Sequence, residues 1–193
     1  MYINNLATIN SEFYRTLVKS HIKFMGHYIS EPSFVKNLQH DLKIWKDSDG
    51  NYRGEVGGYE SLIEFIPYDF SINIAAIKIT KPKYERWVDL KRTYQTYKEL
   101  FSKKYTLIRS NENTGIRYGS SLSESDFALR NIMIGDGNYS CAYEIPGGMI
   151  MMSIEPKKGS EYPEYGEVVI YYVDNQNYEE LKSKKDKEKL DDL

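Results

Sequence analysis

The spacing of apolar residues along the chain predicts two main helices. A helix over 31–43 follows from four apolar positions at helical spacing, Phe34, Val35, Leu38 and Leu42. A longer stretch, 84–104, carries one apolar stripe on an otherwise polar surface, made of Trp87, Leu90, Tyr94, Tyr97 and Phe101. The stripe covers about two heptads, fewer than the three or four that are typical of a coiled coil. We therefore expect the second helix to pack on a sheet of the same chain.

Alternating or continuous apolar runs predict the strands of that sheet. The segments with this character lie at about 23–29, 51–57, 60–67, 72–80, 127–134, 138–145, 149–155 and 167–173. The segment 72–80 is apolar at both alternating sets of positions, which is typical of a central strand covered on both faces. Pro146-Gly147-Gly148 indicates a hairpin between two of the strands. Residues 108–126 are too polar for a core element, and we predict a long connection there.

These elements indicate an α+β domain in which the two main helices pack on one face of a largely antiparallel sheet. The tetrapeptide Asp-Gly-Asn-Tyr occurs at 49–52 and again at 136–139, each time near the start of a predicted strand. Because a helix followed by strands occurs twice, we interpret the domain as two pseudo-repeated α-βββ halves. Asp-Gly is also a common turn dipeptide, so two unrelated turns are the alternative interpretation.

A chain of 193 residues suits a single ordinary domain. Residues 1–22 are polar and weakly patterned, as in an N-terminal arm, whereas the regular pattern runs over 23–175. Residues 176–193 are charged and poor in apolar residues, which is typical of a solvated tail. We therefore divide the chain into an N-terminal arm, a single α+β domain and a charged C-terminal tail.

Composition narrows the class of protein. The chain is 40 % hydrophobic and 28 % charged, as globular proteins are, and its net charge of -2 argues against a nucleic-acid binder. Cys141 is the only cysteine, so we expect no intrachain disulfide. No apolar run reaches the roughly 18 residues that a membrane span needs, and the first 25 residues lack the apolar segment of a secretory leader. We expect a soluble protein that is cytoplasmic as sequenced, or periplasmic or secreted if a leader is missing from this sequence.

The sequence has no pattern typical of a metal or cofactor site. Asp47, Asp49 and Asn51 alternate as in a calcium loop, but Tyr52 and Gly58 stand where that loop needs glycine and glutamate. Neither a phosphate-binding glycine motif nor the nucleophile elbow of hydrolases is present. We therefore assign no catalytic, cofactor-binding or metal-ligating residue and expect no cofactor.

Several segments resemble an uncharacterised family of small α+β proteins of gut anaerobic bacteria. The similarity rests on the glycine–aromatic segment GEVGGY at 54–59, on Trp87, Leu90 and Tyr94 followed by YKELFSKKY, and on the late strand GMIMMSIE. The terminal LDDL is similar to the acidic end of that family. The resemblance implies a bacterial protein and no assigned activity. Members of that family usually carry a secretory leader, which the polar residues 1–20 do not resemble.

Eighteen tyrosines are the outlier in composition. Tyrosine is enriched at binding surfaces, although an AT-rich genome also raises the tyrosine content of its proteins. Because no catalytic motif is present, we predict a non-catalytic protein-binding or inhibitory module whose partner is another protein. The connection 108–126, which contains Tyr118, is the segment that we expect in the binding face.

Two other classes of function stay open. An enzyme of unrecognised type would need catalytic residues to come together around His27, His40 or Cys141. A small-ligand or envelope-associated carrier is suggested only by the resemblance to proteins with leaders.

Overall fold

A computed structural model describes residues 21–31, 33–67, 73–116, 123–159, 161–179 and 183. The helices in these ranges are α1 (Phe34–His40), α2 (Trp87–Ser102) and α3 (Glu124–Ile134). The strands are β1 (Lys23–Phe24), β2 (His27–Tyr28), β3 (Ile44–Lys46), β4 (Tyr52–Val56), β5 (Tyr59–Pro67), β6 (Ile74–Thr80), β7 (Glu85–Arg86), β8 (Thr106–Asn113), β9 (Asn138–Ile145), β10 (Gly148–Pro156) and β11 (Tyr165–Asp174). Residues 175–179, directly after β11, are also helical.

Nine of the strands form one antiparallel sheet. Their order is β3-β4-β5-β6-β11-β10-β9-β8, and the short β7 pairs with β11. Gly57 and Gly58 join β4 to β5 with φ of 61° and 83°, because the tight turn between these strands needs left-handed backbone at both positions. The remaining strands, β1 and β2, form a small separate hairpin. The predicted strand 23–29 is therefore two short strands, divided at Met25 and Gly26, where φ is positive.

The helices pack on one face of the sheet. α2 lies over its centre, where the ring of Tyr94 contacts that of Tyr139 with 4.8 Å between centroids. α3 lies beside α2 and buries Leu129. α1 reaches the same face through Phe34, whose ring meets Phe65 edge-on. The predicted α+β fold, with two main helices on one face of a largely antiparallel sheet, is confirmed.

The apolar stripe of α2 forms the centre of the core. All five residues of the stripe are buried, and Leu90 and Tyr94 are 0 % exposed. Gly166 of β11 lies directly beneath the helices, where a Cβ would come within 3.2 Å of both Leu90 and Leu129. The absence of a side chain at this position therefore allows α2 and α3 to approach the sheet closely.

Two segments differ from the prediction. Residues 106–113 form the edge strand β8 and are not part of a long connection, and all eight are exposed. A strand that is exposed on both faces shows no apolar alternation, so its sequence resembles a loop. Residues 127–134, predicted as a strand, belong to α3. Short apolar runs fit both structures, and here Ala128 and Leu129 are buried as part of a helix packed against β10 and α2.

The two Asp-Gly-Asn-Tyr segments precede β4 and β9, the second strands of the runs β3–β6 and β8–β11. Their turns differ, because Gly50 has a φ of 83° whereas Gly137 is not left-handed. A Cβ at Gly137 would also approach the backbone of Thr114 at 3.0 Å. In the described residues, α3 separates β8 from β9, and no helix separates β3 from β4. The pseudo-repeat is therefore not confirmed.

Buried Asp174 connects both ends of the described chain to the sheet. Its carboxylate accepts hydrogen bonds from Nδ1 of His21 at 3.0 Å, from the Ile22 N–H at 2.9 Å and from the Asn177 N–H at 3.0 Å. The Asn177 side chain also donates to the carbonyl of Ile74. The folded region thus includes His21 and Ile22, from the predicted arm, and Asn177, from the predicted tail.

Candidate functional site

The candidate binding surface is the face of the sheet opposite the helices. No helix of the described residues packs on it, and it is built from alternate side chains of β5, β6, β9, β10 and β11. We name it the open face. The strand register places on it Leu62, Glu64, Ile66, Lys78, Ala142, Glu144, Met149, Met151, Ser153, Glu155, Glu167, Val169, Tyr171 and Val173.

The centre of the open face is apolar. Met151 is 40 % exposed and lies directly opposite Tyr171, which is half-buried. Val169 and Val173 are buried, so the longer side chains contribute most of the accessible apolar surface. Methionine and tyrosine suit a contact surface, since thioethers adapt to irregular shapes and tyrosine combines an apolar ring with a polar tip. Met151 and Tyr171 therefore form most of the accessible apolar surface at the centre of this face.

One end of the open face carries two carboxylates directly opposite each other. Glu155 of β10 and Glu167 of β11 are cross-strand partners, and we name them the acidic pair. Burial is the main cause that raises the pKa of Glu167; the charge of Lys78 lowers it, the charge of Glu155 raises it by less than Lys78 lowers it, and Lys158 lowers it again. Like charges placed opposite each other on neighbouring strands destabilise a sheet. The interaction between the two carboxylates of the acidic pair is therefore repulsive.

Other basic side chains of this surface have carboxylate neighbours of their own. Lys78 lies directly opposite Glu64 in the register of β5 and β6. Arg53 donates from Nε to Asp47 and from a terminal nitrogen to Glu60, each at 2.8 Å. Lys78 is thus shared between Glu64, its cross-strand partner, and Glu167, whose pKa its charge lowers.

The histidines singled out from the sequence meet at one carboxylate. Nε2 of His27 lies 2.9 Å from Asp41, and Nδ1 of His27 lies 3.0 Å from Glu31. His40 is 3.3 Å from the other oxygen of Asp41, and its side chain is exposed. Because both ring nitrogens of His27 are engaged by carboxylates, this histidine holds the β1–β2 hairpin to the end of α1 and offers no free nitrogen to a substrate.

Cys141 lies apart from these histidines, on the helix-covered face. It is buried, and its thiol lies against the tyrosines Tyr94 and Tyr143. Burial raises the pKa of the Cys141 thiol, whereas a catalytic thiol needs a lowered pKa. The Tyr94 hydroxyl beside it is buried without a hydrogen-bond partner in the described residues. The structure does not bring Cys141 together with His27 or His40.

The calcium-like segment is occupied by local hydrogen bonds. One oxygen of Asp47 accepts from the N–H groups of Asp49 and Asn51, and the other accepts from Arg53. These bonds lower the pKa of Asp47, led by the one from Arg53. In the part of the chain that the structure describes, no three His, Cys, Asp or Glu side chains are grouped to hold a metal ion.

Part of the segment 108–126 is regular structure, since residues 108–113 belong to β8 and residues 124–126 to α3. Residues 117–122, with Tyr118, lie outside the described residues, so the binding face predicted there stays a prediction. The second Asp-Gly-Asn-Tyr segment lines a polar cleft of about 450 Å³, together with Asn111 and Asn113 of β8. The first copy lies near the opposite edge of the sheet, so the two copies do not form one site.

The acidic pair and the contact between His21 and Asp174 were not predicted from the sequence. Glu155 and Glu167 are on different strands, and only the register of β10 with β11 places them opposite each other. The alternation of apolar and polar residues in 149–155 and 167–173 does predict that the two glutamates lie on one face of the sheet. It does not predict which residue of one strand lies opposite which residue of the other.

Comparison with known proteins leaves the family of this chain open. No protein-family model, curated protein or solved structure matches it. The resemblance to the family of gut anaerobes stays a prediction. Among the described residues, no helix combines the length and apolar character that a membrane crossing requires.

Proposed function

We propose that this chain is a non-catalytic protein-binding module whose open face docks on a basic surface of another protein. If the covered surface is the partner's own functional site, this binding inhibits the partner. The observation that supports the proposal most is the acidic pair, Glu155 and Glu167, at the end of an apolar face without a helix.

The acidic pair gives a physical reason for binding. Like charges directly opposite each other destabilise a sheet, and the energies of cross-strand pairs are on the order of 0.2–1 kcal/mol. A lysine or arginine of a partner, placed between the two carboxylates, would turn this repulsion into a charge-assisted interaction. Met151 and Tyr171 beside the pair would supply the apolar contact that interfaces bury at their centre.

The described residues favour binding over catalysis. His27 has both nitrogens engaged by carboxylates, and Cys141 is buried with a raised pKa. A general acid or base has to reach its substrate, usually in a concave site. None of His27, His40 and Cys141 lines the polar cleft at the second Asp-Gly-Asn-Tyr segment.

Affinity capture with matched variants tests the proposal. The tagged chain is used to capture proteins from a lysate of the cells that make it, as wild type, as Met151→Arg and as Leu100→Arg. Met151 and Leu100 are each 40 % exposed, but the first is on the open face and the second is on α2. We expect Met151→Arg to reduce capture at least about tenfold, since an arginine desolvated in an interface costs several kcal/mol, and Leu100→Arg to retain it.

Circular dichroism establishes first that both variants are folded. Equal capture by the wild type and Met151→Arg would contradict the proposal, as would loss of capture in Leu100→Arg alone. Sedimentation of the purified wild-type chain tests whether the chain binds a second copy of itself. Self-association that Met151→Arg abolishes would make the open face a contact between two copies of this chain, and the proposal of a basic partner would be wrong.

A further inference from the structure

A second candidate site is a cleft of about 620 Å³ on the helix side of the molecule. It lies between the β1–β2 hairpin, the β4–β5 turn, the residues that follow α2 and the β9–β10 turn. We name it the hairpin cleft. Its residue from the central strand β11, Tyr172, points to the helix side, where it contacts Phe24 and Phe101.

Two lysines at the hairpin cleft are held over aromatic rings. Nζ of Lys23 lies 5.4 Å from the ring centre of Tyr28, and Nζ of Lys104 lies 5.1 Å from that of Tyr105. In the described residues, neither lysine forms an ion pair with a carboxylate. Among the described lining residues Glu55 is the one carboxylate, and Asp174 adds a buried carboxylate behind His21. The two lysines without an ion-pair partner favour an anion at the entrance of the cleft.

The inner wall of the hairpin cleft is aromatic and rigid. The rings of Phe24 and Tyr172 meet edge-on with 5.2 Å between centroids, and Phe24 is 2 % exposed. Beside them lies His21, whose Nδ1 is held by Asp174, a residue that is 0 % exposed. This hydrogen bond fixes the imidazole ring and leaves Nε2 as its second polar atom, on a side chain that lines the cleft.

We propose that the hairpin cleft binds a small organic anion with a flat apolar body. The partly exposed rings of Tyr28 and Tyr105, in front of the buried Phe24 and Tyr172, would take the flat body, and Lys23 and Lys104 would hold the charged group. His21, buried and oriented by Asp174, would supply a directed hydrogen bond. Ligand pockets are mostly apolar and aromatic with a few polar groups that converge, which is the composition of this cleft. The charged group is a carboxylate or a phosphate, and both have the same partners here.

Nuclear magnetic resonance titration of the full chain tests this inference. Benzoate and phenyl phosphate serve as probes for the two charged groups, with inorganic phosphate to test the need for the flat body and benzylamine to test the sign of the charge. We expect saturable shifts of the amides of residues 23–28 and 104–105 with at least one aromatic anion. Lys23→Gln and Lys104→Gln should each weaken that binding about tenfold, as the loss of a charge-assisted hydrogen bond does.

Lys103→Gln is the matched control, since Lys103 is exposed, adjacent to Lys104 and not part of the cleft wall. It should leave the affinity unchanged. The inference is overturned if neither aromatic anion gives saturable shifts with a dissociation constant below about 10 mM. Equal binding of inorganic phosphate or benzylamine would also overturn it, and so would an equal loss of affinity in Lys103→Gln. None of these results bears on the open face, which is on the other side of the sheet.

Discussion

His27 joins the β1–β2 hairpin to the end of α1 through two carboxylates. The hydrogen bonds to Asp41 and then to Glu31 raise the pKa of His27 above its ordinary value of 6.5. The bond from His27 lowers the pKa of Asp41. Burial raises the pKa of Glu31, but the N–H of Tyr28 and His27 together bring it below its ordinary value of 4.5. The imidazolium and both carboxylates are therefore charged together in the folded protein at mildly acid pH.

The stability of the protein should depend on pH through His27. A raised pKa in the folded state means that the stabilisation is complete below the unfolded pKa of 6.5 and is lost as pH rises through the folded pKa. The lowered pKa of Glu31 means that its contribution is present above 4.5 and is lost on further acidification. The interaction is therefore strongest between these two values. We expect the free energy of unfolding in urea to fall from about pH 5.5 to about pH 8.5 in the wild type, and to fall less in His27→Gln.

His40→Gln is the control for this measurement. His40 contacts the same Asp41, but its side chain is 89 % exposed, so its replacement should keep the pH dependence of the wild type. If the wild type and His27→Gln show the same slope with pH, the charged interaction at His27 does not contribute to stability.

The acidic pair predicts a substitution that stabilises the free chain. Glu155→Gln removes one of the two opposed carboxylates, so it should raise the free energy of unfolding by about 0.2–1 kcal/mol. It should also lower the pKa of Glu167 toward its ordinary value, though not completely, because burial is the larger cause of the shift. Chemical denaturation and carboxyl resonances followed by pH titration measure the two effects.

Glu64→Gln is the matched control for Glu155→Gln. Glu64 lies on the same face but opposite Lys78, so the loss of its charge removes an attraction and should not stabilise the chain. A lower stability of Glu155→Gln than of the wild type would show that the acidic pair is not repulsive.

At the scale of elements, α2 buries more residues than either α1 or α3. Leu90 is 0 % exposed in the middle of its stripe and lies above Gly166. Leu90→Ala should therefore cost about 2–5 kcal/mol, the range for a core leucine that leaves a cavity. Val88 is on the same helix but is 56 % exposed, and Val88→Ala should change stability by less than about 0.5 kcal/mol. Equal effects of the two substitutions in urea unfolding would contradict the observed packing of α2.

Elements with a buried side were predictable from the sequence. The helical spacing of apolar residues in α2 and their alternation in β9 to β11 arise because these residues face one core. The pattern therefore predicts the type of each element. β8 has no buried side, and its sequence therefore carries no pattern to detect. α3 is short, and its apolar residues fit a strand or a helix until the packing against β10 and α2 decides between them.

The candidate site was less predictable than the fold, because its parts come from distant positions. His21 and Asp174 are 153 residues apart, and their contact depends on the whole chain having folded. The acidic pair requires the register of β10 with β11, which sequence alternation alone does not set. The binding face predicted at 108–126 rests on a local property, polarity, whereas the open face combines five strands that are distant in the sequence.

At the scale of the whole molecule, the sheet separates two kinds of surface. The helix side contains the core and, at one end, the hairpin cleft with its two lysines. The open face is apolar at its centre and acidic at the end formed by β10 and β11. The two proposals therefore concern opposite sides of the same sheet, and each can be tested in the full chain without altering the other side.

Carboxyl footprinting of the captured complex tests the central claim most directly. A carbodiimide with a small amine labels accessible carboxylates, and mass spectrometry compares the free chain with the chain bound to its partner. If the open face binds a basic partner, labelling of Glu155 and Glu167 falls in the complex, while Asp89 and Glu99, exposed on α2, stay unchanged. Unchanged labelling of the acidic pair with protection of Asp89 and Glu99 would contradict the claim and place the binding surface on the helices.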